Sequence, residues 1–384
     1  MISIHRTLLL ALIGACASTV LASAQAASSP TEVNNTVQGS ASPSAYVYIS
    51  NPASSGGNQI NAYSAAANGA LTPILGTPFP SAGSDMAVNS TWLFATDGSN
   101  IYSFSIAANG ALAQMDSYAA ESGGGLISLF LDHTGSTLYT DYYTTNNDYL
   151  SYSIDQSTGQ LTPVNDLAGG PSNNSPLSFI GNNEFGYSSS CYHFTPDIFG
   201  AQRASDGALT YLTSTPPFPT APSGDFWCPW LAAADPTNHL AVAMQPHNGN
   251  WGIEGPYQLA SYTVDGSGNL TTTNTYQNMP QVLVGDDITD YKMSPDGKFL
   301  AVGGGQGLQL FHFNGANPPT KFTGLLPTHA IYQLFWDNAD HLYAISPQVG
   351  KLYVLTVTST SVTQAPGSPH TISKPNGLIV LPKP

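Results

Sequence analysis

The sequence predicts an all-β fold, a seven-bladed β-propeller with four-stranded blades, on three observations. A unit of short alternating strands recurs seven times, and the 296 residues from Tyr46 to Leu342 give a period of about 49 residues. No segment carries a 3.6-residue apolar period. The final strand-like segment lacks partner strands after it. A repeat of 40–50 residues that holds several short strands is typical of propellers.

Two markers define the repeat. The first is a strand, a Gly-containing turn and a leucine, at Tyr63–Leu71, Phe104–Leu112, Tyr152–Leu161, Asp206–Leu209 and Tyr262–Leu270. The second is a polar turn followed by an apolar strand, at His133–Tyr139, Pro236–Val242, Pro295–Val302 and Asn338–Ala344. One copy cannot bury both faces of its sheet, whereas seven copies packed around an axis can, so we expect a single toroidal domain over residues 45–384.

The two ends of the chain predict how the ring closes. The first copy begins at what should be its second strand, Ala45–Ile49, and the last segment is Gly377–Leu381. We expect this C-terminal segment to be the missing innermost strand of blade 1.

The first 26 residues have the features of a bacterial signal peptide. Arg6 precedes the apolar run Leu8–Leu21, and Ala24–Ala26 is an A-x-A cleavage site. The run is shorter than the ~20 residues that span a bilayer, so no transmembrane segment is expected in the mature chain. The residues that follow, 27–44, are polar and aperiodic and predict a flexible leader. The protein is therefore expected to be exported, as a periplasmic or secreted protein. Leu12–Cys16 also resembles a lipobox, and lipidation at Cys16 is the less favoured route.

Charge and cysteine content limit the partners. The chain has 8 Lys/Arg and 23 Asp/Glu, a formal charge of −15, and loss of Arg6 makes it −16. Binding to nucleic acid or to an anionic membrane needs clustered basic residues, so both are excluded as partners. Cys191 and Cys228 survive cleavage, and in an exported protein they predict a disulfide, with two buried thiols as the alternative.

The repeat resembles the seven-bladed lactonase family, which includes bacterial 6-phosphogluconolactonases, and the related YVTN-type propellers. The residues that carry the resemblance are Ala45–Asn51, Tyr152–Pro163 and Ser294–Leu300. The likeness extends over about residues 44–382. It implies the propeller architecture and, in active relatives, lactone hydrolysis by histidines and arginines around a central pocket.

This sequence departs from the family at those positions. The inner strand of blade 3 starts in Gly123–Ser128, and that of blade 5 starts in Gly224–Trp230. Gly303–Gly305 stands where the resemblance implies an arginine. No catalytic histidine or arginine can be transferred to this chain, and a phosphorylated sugar would require such cations.

Loops before inner strands and after second strands should meet at one mouth of the channel, where the repeat also carries its insertions. The predicted ligand-binding residues are Asp225, Trp227, His247, Trp251 and Lys374, and the candidate catalytic residues are Glu254, Asp286, Asp287 and His329. Structural interpretations compete with these. Trp227 can pack around a disulfide, Asp286 and Asp287 can form a solvated turn, and the two histidines can be turn or core residues.

Two functions from different classes follow. The favoured hypothesis is a monomeric, non-catalytic propeller that binds a small polar ligand or an envelope protein, without a cofactor. The alternative is a lactonase-like hydrolase of a neutral lactone, with one of the candidate acids or His329 as its base. In a variant of the second hypothesis, Ca²⁺ bound by Asp286 and Asp287 supplies the missing positive charge.

Overall fold

The computed structural model describes residues 42–53, 56–81, 83–119, 125–143, 147–170, 176–192, 195–213, 216–222, 224–326 and 329–383. The regular elements in these ranges are thirty β-strands. Within the same ranges, no helix has the length and apolar content to cross a membrane. The predicted signal peptide and residues 27–41 of the predicted leader lie outside the described residues.

The strands form seven antiparallel sheets, each numbered here as a blade. Blade 1 contains β1 (Ala45–Pro52), β2 (Asn58–Ala65), β3 (Leu71–Pro73), β4 (Phe79–Ser81) and β30 (Gly377–Pro382). Blade 2 contains β5 (Asp85–Val88), β6 (Trp92–Thr96), β7 (Asn100–Ile106) and β8 (Leu112–Ala119). Blade 3 contains β9 (Gly125–Leu131), β10 (Thr137–Tyr143), β11 (Asn147–Ile154) and β12 (Leu161–Gly170).

The other four blades follow in chain order. Blade 4 contains β13 (Ser178–Phe179), β14 (Phe185–Tyr192), β15 (Thr195–Arg203) and β16 (Leu209–Tyr211). Blade 5 contains β17 (Asp225–Ala234), β18 (His239–Asn248), β19 (Gln258–Val264) and β20 (Leu270–Thr271). Blade 6 contains β21 (Ile288–Met293), β22 (Phe299–Gly304), β23 (Gly307–Asn314) and β24 (Asn317–Lys321). Blade 7 contains β25 (Gln333–Trp336), β26 (His341–Ser346), β27 (Lys351–Val357), β28 (Val362–Gln364) and β29 (His370–Thr371).

The predicted seven-bladed propeller and its closing strand are confirmed. In blade 1 the strand order is β3–β2–β1–β30, so the C-terminal strand is innermost and β1 is second. Tyr46 pairs with Leu381, and Ser50 pairs with Gly377. Blades 1 and 7 each carry one short additional strand that the sequence did not predict, β4 on β2 and β29 on β27.

The core consists of seven hydrophobic clusters, one between each pair of neighbouring blades in the described part of the chain. β30 contributes to two of these clusters, because its side chains point alternately to the two faces of blade 1. Leu378 and Val380 pack towards blade 7, whereas Ile379 and Leu381 pack towards blade 2. Because successive residues of a strand face opposite sides, one strand buries four apolar side chains in two interfaces.

A tyrosine-to-glycine contact explains why the two sequence markers recur together. The hydroxyl of Tyr139 donates to the carbonyl of Gly207, 2.9 Å away in the next blade. Tyr187 donates in the same way to Gly268 at 2.7 Å. Gly207 has φ +92°, and a Cβ there would lie 2.5 Å from the Thr137 side chain. The glycine turn of one blade is therefore shaped to receive the second strand of its neighbour.

Two polar stretches of the sequence lie in strands. Residues 141–143 and 147–149 belong to β10 and β11. Met244–Asn248 belongs to β18. Pairing with a neighbouring strand stabilises such polar segments, which have no strong strand preference of their own.

The predicted disulfide is present. Cys191 of β14 and Cys228 of β17 are bonded, with 5.2 Å between their Cα atoms, so the bond joins blades 4 and 5. The inner strand of blade 4 is short, since β13 pairs with only Tyr187 and Gly186 of β14. The disulfide lies farther along β14, beyond the segment that β13 covers.

Replacing both cysteines by serine (Cys191→Ser with Cys228→Ser) should lower the free energy of unfolding by roughly 4 kcal/mol, the loop-closure value for a separation of 37 residues. Urea denaturation of the variant and of the unreduced wild type measures the difference. Thiol titration of the denatured, unreduced wild type is the control, and two free thiols would contradict the assignment.

Candidate functional site

The mouth of the propeller is the end at which inner strands begin and second strands finish. At this end the β17–β18 hairpin of blade 5 is long, because both strands have ten residues and pairing starts at Asp225 and Asn248. In blade 2, by comparison, the inner and second strands have four and five residues. Blade 5 therefore extends the wall of the mouth on one side.

Three aromatic side chains group together at the tip of this hairpin. The ring of Phe226 lies 5.9 Å from His247 and 5.0 Å from Trp251, and His247 lies 5.9 Å from Trp251. All three side chains are half-buried. Tilted and edge-on contacts at these distances are favourable for aromatic rings, and half-exposed rings still present a face to a ligand. Asp225 and Asn248 border the group.

Trp251 is held in a backbone conformation that bulky residues rarely adopt. Its φ is +66°, in the left-handed region. The turn is stabilised by Asn248, whose Oδ1 accepts from the N–H groups of Asn250 and Gly252, each at 2.9 Å. The Trp251 N–H also donates to the carbonyl of Asn248 at 2.9 Å. Local strain of this kind is concentrated at functional sites, since the surrounding structure must oppose it.

The other two tryptophans of blade 5 have different environments. Trp227, predicted to bind ligand, is 2% exposed and packs in the cluster between blades 4 and 5, with Tyr276 6.0 Å away. Its side chain belongs to the core, as the competing packing interpretation expected. Trp230 is 36% exposed, and its Nε1–H donates to the carbonyl of Ile288 at 3.2 Å.

The remaining predicted residues are dispersed around the mouth. Glu254 is exposed in the turn after β18, where its carboxylate accepts a hydrogen bond from the Asn248 side chain. Asp286 and Asp287 are exposed immediately before β21. His329 is exposed ahead of β25, and Lys374 is exposed ahead of β30 with φ +46°. These loops belong to successive blades, and no hydrogen bond or ion pair between their predicted residues is seen in the described ranges, apart from local contacts in the blade 5 turn.

Two further features bear on ligand binding. In the described ranges, no three His, Cys, Asp or Glu residues group closely enough to hold a metal ion by themselves. A surface cleft of about 310 Å³ lies between blades 1 and 2, lined among others by Asn58, Gln59, Pro80 and Gln114. Its lining carries no charged side chain, and it is remote from the blade 5 hairpin.

The structure also reveals polar residues in the inner strands that sequence reasoning missed. At matching positions of blades 2, 6 and 7, a side-chain oxygen accepts the backbone N–H of the next inner strand. The contacts are Asp85 with Leu129 at 2.6 Å, Asp290 with Leu334 at 2.7 Å, and Gln333 with Leu378 at 2.6 Å. These bonds join neighbouring blades around the channel.

Two carboxyl groups near blade 3 have unusual protonation behaviour. Asp141 is fully buried, and loss of solvation, reinforced by the nearby charge of Asp85, raises its pKa to about 7 although its Oδ1 accepts a hydrogen bond from Ser128. Burial raises the pKa of half-buried Asp85 to about 6, while the Leu129 N–H and the charge of Lys292 oppose the rise. Both groups therefore titrate near neutral pH.

Two of the basic residues, Arg203 and Lys292, are already paired with carboxylates. Arg203 forms a buried ion pair with Asp132 at 2.5 Å, in the turn between β9 and β10 at the end opposite the mouth. Lys292 lies 3.2 Å from Asp290, with its Nζ 5.9 Å from the centre of the Phe335 ring. Arg203 therefore lies away from the mouth.

A positional signal in the sequence could have identified the inner-strand acids. Asp85 and Asp290 each stand four residues before the polar residue that opens the hairpin to the second strand, Asn89 and Ser294 respectively. In blade 5 the corresponding position, four residues before Asp235, is Leu231. When the seven copies are aligned on these turns, the same position holds an aspartate in blades 2 and 6 and a leucine in blade 5. An acid at a position where another blade has leucine is the signal that marks these residues.

Comparisons with known proteins bear on the fold. Solved structures similar to this chain include a protein from Lactobacillus plantarum, with TM-score 0.65 and 14% identity, covering 88% of this chain and 99% of that one. A putative 6-phosphogluconolactonase from Bacteroides fragilis has TM-score 0.64 and 14% identity, covering 92% of this chain and 100% of that one. A putative 6-phosphogluconolactonase from Bacteroides uniformis has the same TM-score and identity, covering 88% and 99%.

The fold is that of a seven-bladed β-propeller similar to these structures. The likeness suspected from the repeat is thus borne out, and it extends over nearly the whole length of each similar structure. No protein-family model matches the sequence, and no curated protein matches it. At 14% identity the similarity establishes the propeller fold and carries no catalytic residue over to this chain.

Proposed function

We propose that this lactonase-like propeller is an exported binding protein that holds an uncharged polar ligand, of the saccharide type, on the blade 5 side of its mouth. The observation that carries the proposal is Trp251, a bulky residue held at φ +66° beside Phe226 and His247. A half-exposed aromatic group stacks on the apolar face of a sugar ring, and flanking polar side chains hydrogen-bond its hydroxyl groups.

The polar groups around the aromatic cluster suit such a ligand. Asp225, Asn248 and Glu254 provide carboxylate and amide groups at the rim of the hairpin. A neutral ligand does not require the arginines that a phosphate would, and the single arginine of the mature chain is already engaged with Asp132. An envelope protein that presents sugars is a partner of matching chemistry, and a periplasmic or secreted location follows from the signal-like N-terminus.

Replacing Trp251 by asparagine should weaken binding strongly without destabilising the protein. Asparagine tolerates positive φ better than tryptophan, so the turn relaxes while the aromatic face is lost. Isothermal titration calorimetry with neutral mono- and disaccharides measures the effect in both proteins, because the variant lacks the Trp251 fluorophore. We expect the Kd to rise about tenfold or more, equivalent to at least ~1.4 kcal/mol.

The matched control for this experiment is Trp251→Phe, which retains a ring and should retain most of the affinity. A Trp251→Asn protein that binds saccharides like wild type would refute the site. A wild type that binds none of the saccharides would refute the ligand class.

Hydrolysis of a neutral lactone is the second candidate function, favoured by one observation. A half-buried carboxyl group at the channel, Asp85, has a pKa raised to about 6, and such a group can accept and return a proton near neutral pH. Assays of phosphorylated and neutral lactones, with and without Ca²⁺, compare wild type with Asp85→Asn and with the double variant Asp286→Asn/Asp287→Asn. Turnover of a neutral lactone lost in one variant would identify its base, and saturable turnover of the phosphorylated lactone would overturn the electrostatic argument.

A further inference from the structure

We propose that the channel wall around the inner strand β9 binds one hard metal cation through the carboxyl groups of Asp85 and Asp141 and the hydroxyl group of Ser128. The site is distinct from the Asp286–Asp287 pair before β21. It is also independent of the ligand proposed at the blade 5 hairpin.

The three groups converge on one short segment of β9. The Oδ2 atom of Asp85 accepts the Leu129 N–H at 2.6 Å, and the Oδ1 atom of Asp141 accepts the hydroxyl of Ser128. Ser128 and Leu129 are consecutive, so carboxyl groups from blades 2 and 3 contact adjacent residues of β9. Asp141 and Ser128 are also directly opposite each other in the β9–β10 pairing.

One oxygen of this group has no protein partner. Asp141 is 0% exposed, and its Oδ2 atom is buried without a hydrogen bond. Buried polar atoms are normally hydrogen-bonded or coordinated, because leaving one unsatisfied costs the full loss of its solvation. The Oδ1 atom is already engaged with Ser128, so Oδ2 is the atom available to an ion.

The charges around the site favour a divalent cation. Two carboxylates that contact adjacent residues of β9 repel each other, and an ion of charge +2 would neutralise both. In the described part of the chain the basic group that acts on Asp85 is Lys292, which is itself paired with Asp290 at 3.2 Å, and no basic side chain contacts Asp141. Carboxylate and hydroxyl oxygens are ligands for hard cations such as Ca²⁺, which fills its remaining positions with backbone carbonyls or water. Asp85 is half-buried, which leaves an approach from the channel.

The test is thermal unfolding of the mature protein, first stripped with a chelator and then supplied with Ca²⁺ at about pH 8, where both carboxyl groups are ionised. We expect saturating Ca²⁺ to raise the Tm by about 3–6 °C and calorimetry to show one ion per chain. Asp141→Asn should abolish both effects, and Ser128→Ala should weaken binding several-fold.

The double variant Asp286→Asn/Asp287→Asn is the matched control, because it removes two exposed carboxylates and leaves the channel wall intact. Its Ca²⁺ response should equal that of wild type. A wild-type Tm and heat signal that do not respond to Ca²⁺ or Mg²⁺ would overturn the proposal. A response retained by Asp141→Asn and lost in the double variant would place the ion at the mouth and overturn it equally.

Discussion

Deletion of residues 375–384 is expected to abolish cooperative unfolding altogether. The deletion removes β30, and with it Leu378, Ile379, Val380 and Leu381, which are buried in the interfaces with blades 7 and 2. Burial of each such side chain contributes roughly 1.5–3 kcal/mol, so the combined loss is comparable to the ~5–15 kcal/mol by which domains are stable. The inner edge of β1 would also be left unpaired, which promotes aggregation.

Two control variants separate the role of the closing strand from a general effect of truncation. Deleting only residues 383–384 leaves β30 intact and removes one backbone hydrogen bond, from Lys383 to Ser44, together with the cation–π contact of Lys383 and Tyr46. It should cost roughly 1 kcal/mol. Moving residues 375–383 in front of Ser44, through a short glycine-containing turn, should restore folding, since β30 and β1 pair as an antiparallel hairpin with Pro382 opposite Ala45. Calorimetry measures all three proteins, and a sharp wild-type-like transition in the 375–384 deletion would refute the role of β30.

Asp141→Asn is expected to stabilise the protein at alkaline pH and to leave its stability unchanged in acid. Burial raises the Asp141 pKa from 3.8 to about 7, so between these values the folded protein binds more protons than the unfolded chain. The stability contribution is therefore fully present below about pH 4 and is lost as the pH rises through 7. At ~1.4 kcal/mol for each pKa unit, the variant should be more stable than wild type by up to about 4 kcal/mol at pH 8.

Comparing the two proteins isolates Asp141 from the other titrating groups. Burial lowers the pKa of His133 and His370, and these histidines make stability rise with pH over part of the same range. They are present in both proteins, so their effect cancels in the difference. Urea denaturation from about pH 4 to 8 in the presence of a chelator gives the two profiles, and Asp286→Asn serves as an exposed control with no expected effect. Parallel profiles for wild type and Asp141→Asn would show that Asp141 ionises as readily in the folded protein as in the unfolded chain.

Much of the architecture could be predicted from the sequence because it depends on local, repeated signals. The Gly-containing turns and the alternating strands recur at a nearly constant period, and each blade uses the same strand-and-turn geometry. The missing first strand before Ala45 and the unpaired segment Gly377–Leu381 together predicted ring closure. The disulfide of Cys191 and Cys228 was predicted because these two cysteines remain once the predicted signal peptide, which contains Cys16, is left out.

The candidate site was less accessible to sequence reasoning, because burial and proximity depend on how blades pack. Trp227 and Trp230 are separated by two residues, yet one is in the core and the other is partly exposed. A register shift between Pro229 and Leu231 changes which face the side chains take, and no local pattern in the sequence announces it. The positive φ of Trp251 likewise depends on the hydrogen bonds of Asn248 in the folded turn.

The sequence by itself determined the number of blades, the closing strand and the poverty of positive charge, since each depends on the order and composition of residues along the chain. Tertiary structure alone decided that Asp85 and Asp141, 56 positions apart in sequence, contact adjacent residues of β9. The physical reason is that the pKa of a carboxyl group depends on how much solvent it loses on folding and on the groups that surround it. The same surroundings decide whether both of its oxygens find hydrogen-bond partners. In a propeller those groups come from neighbouring blades, about one repeat away along the chain.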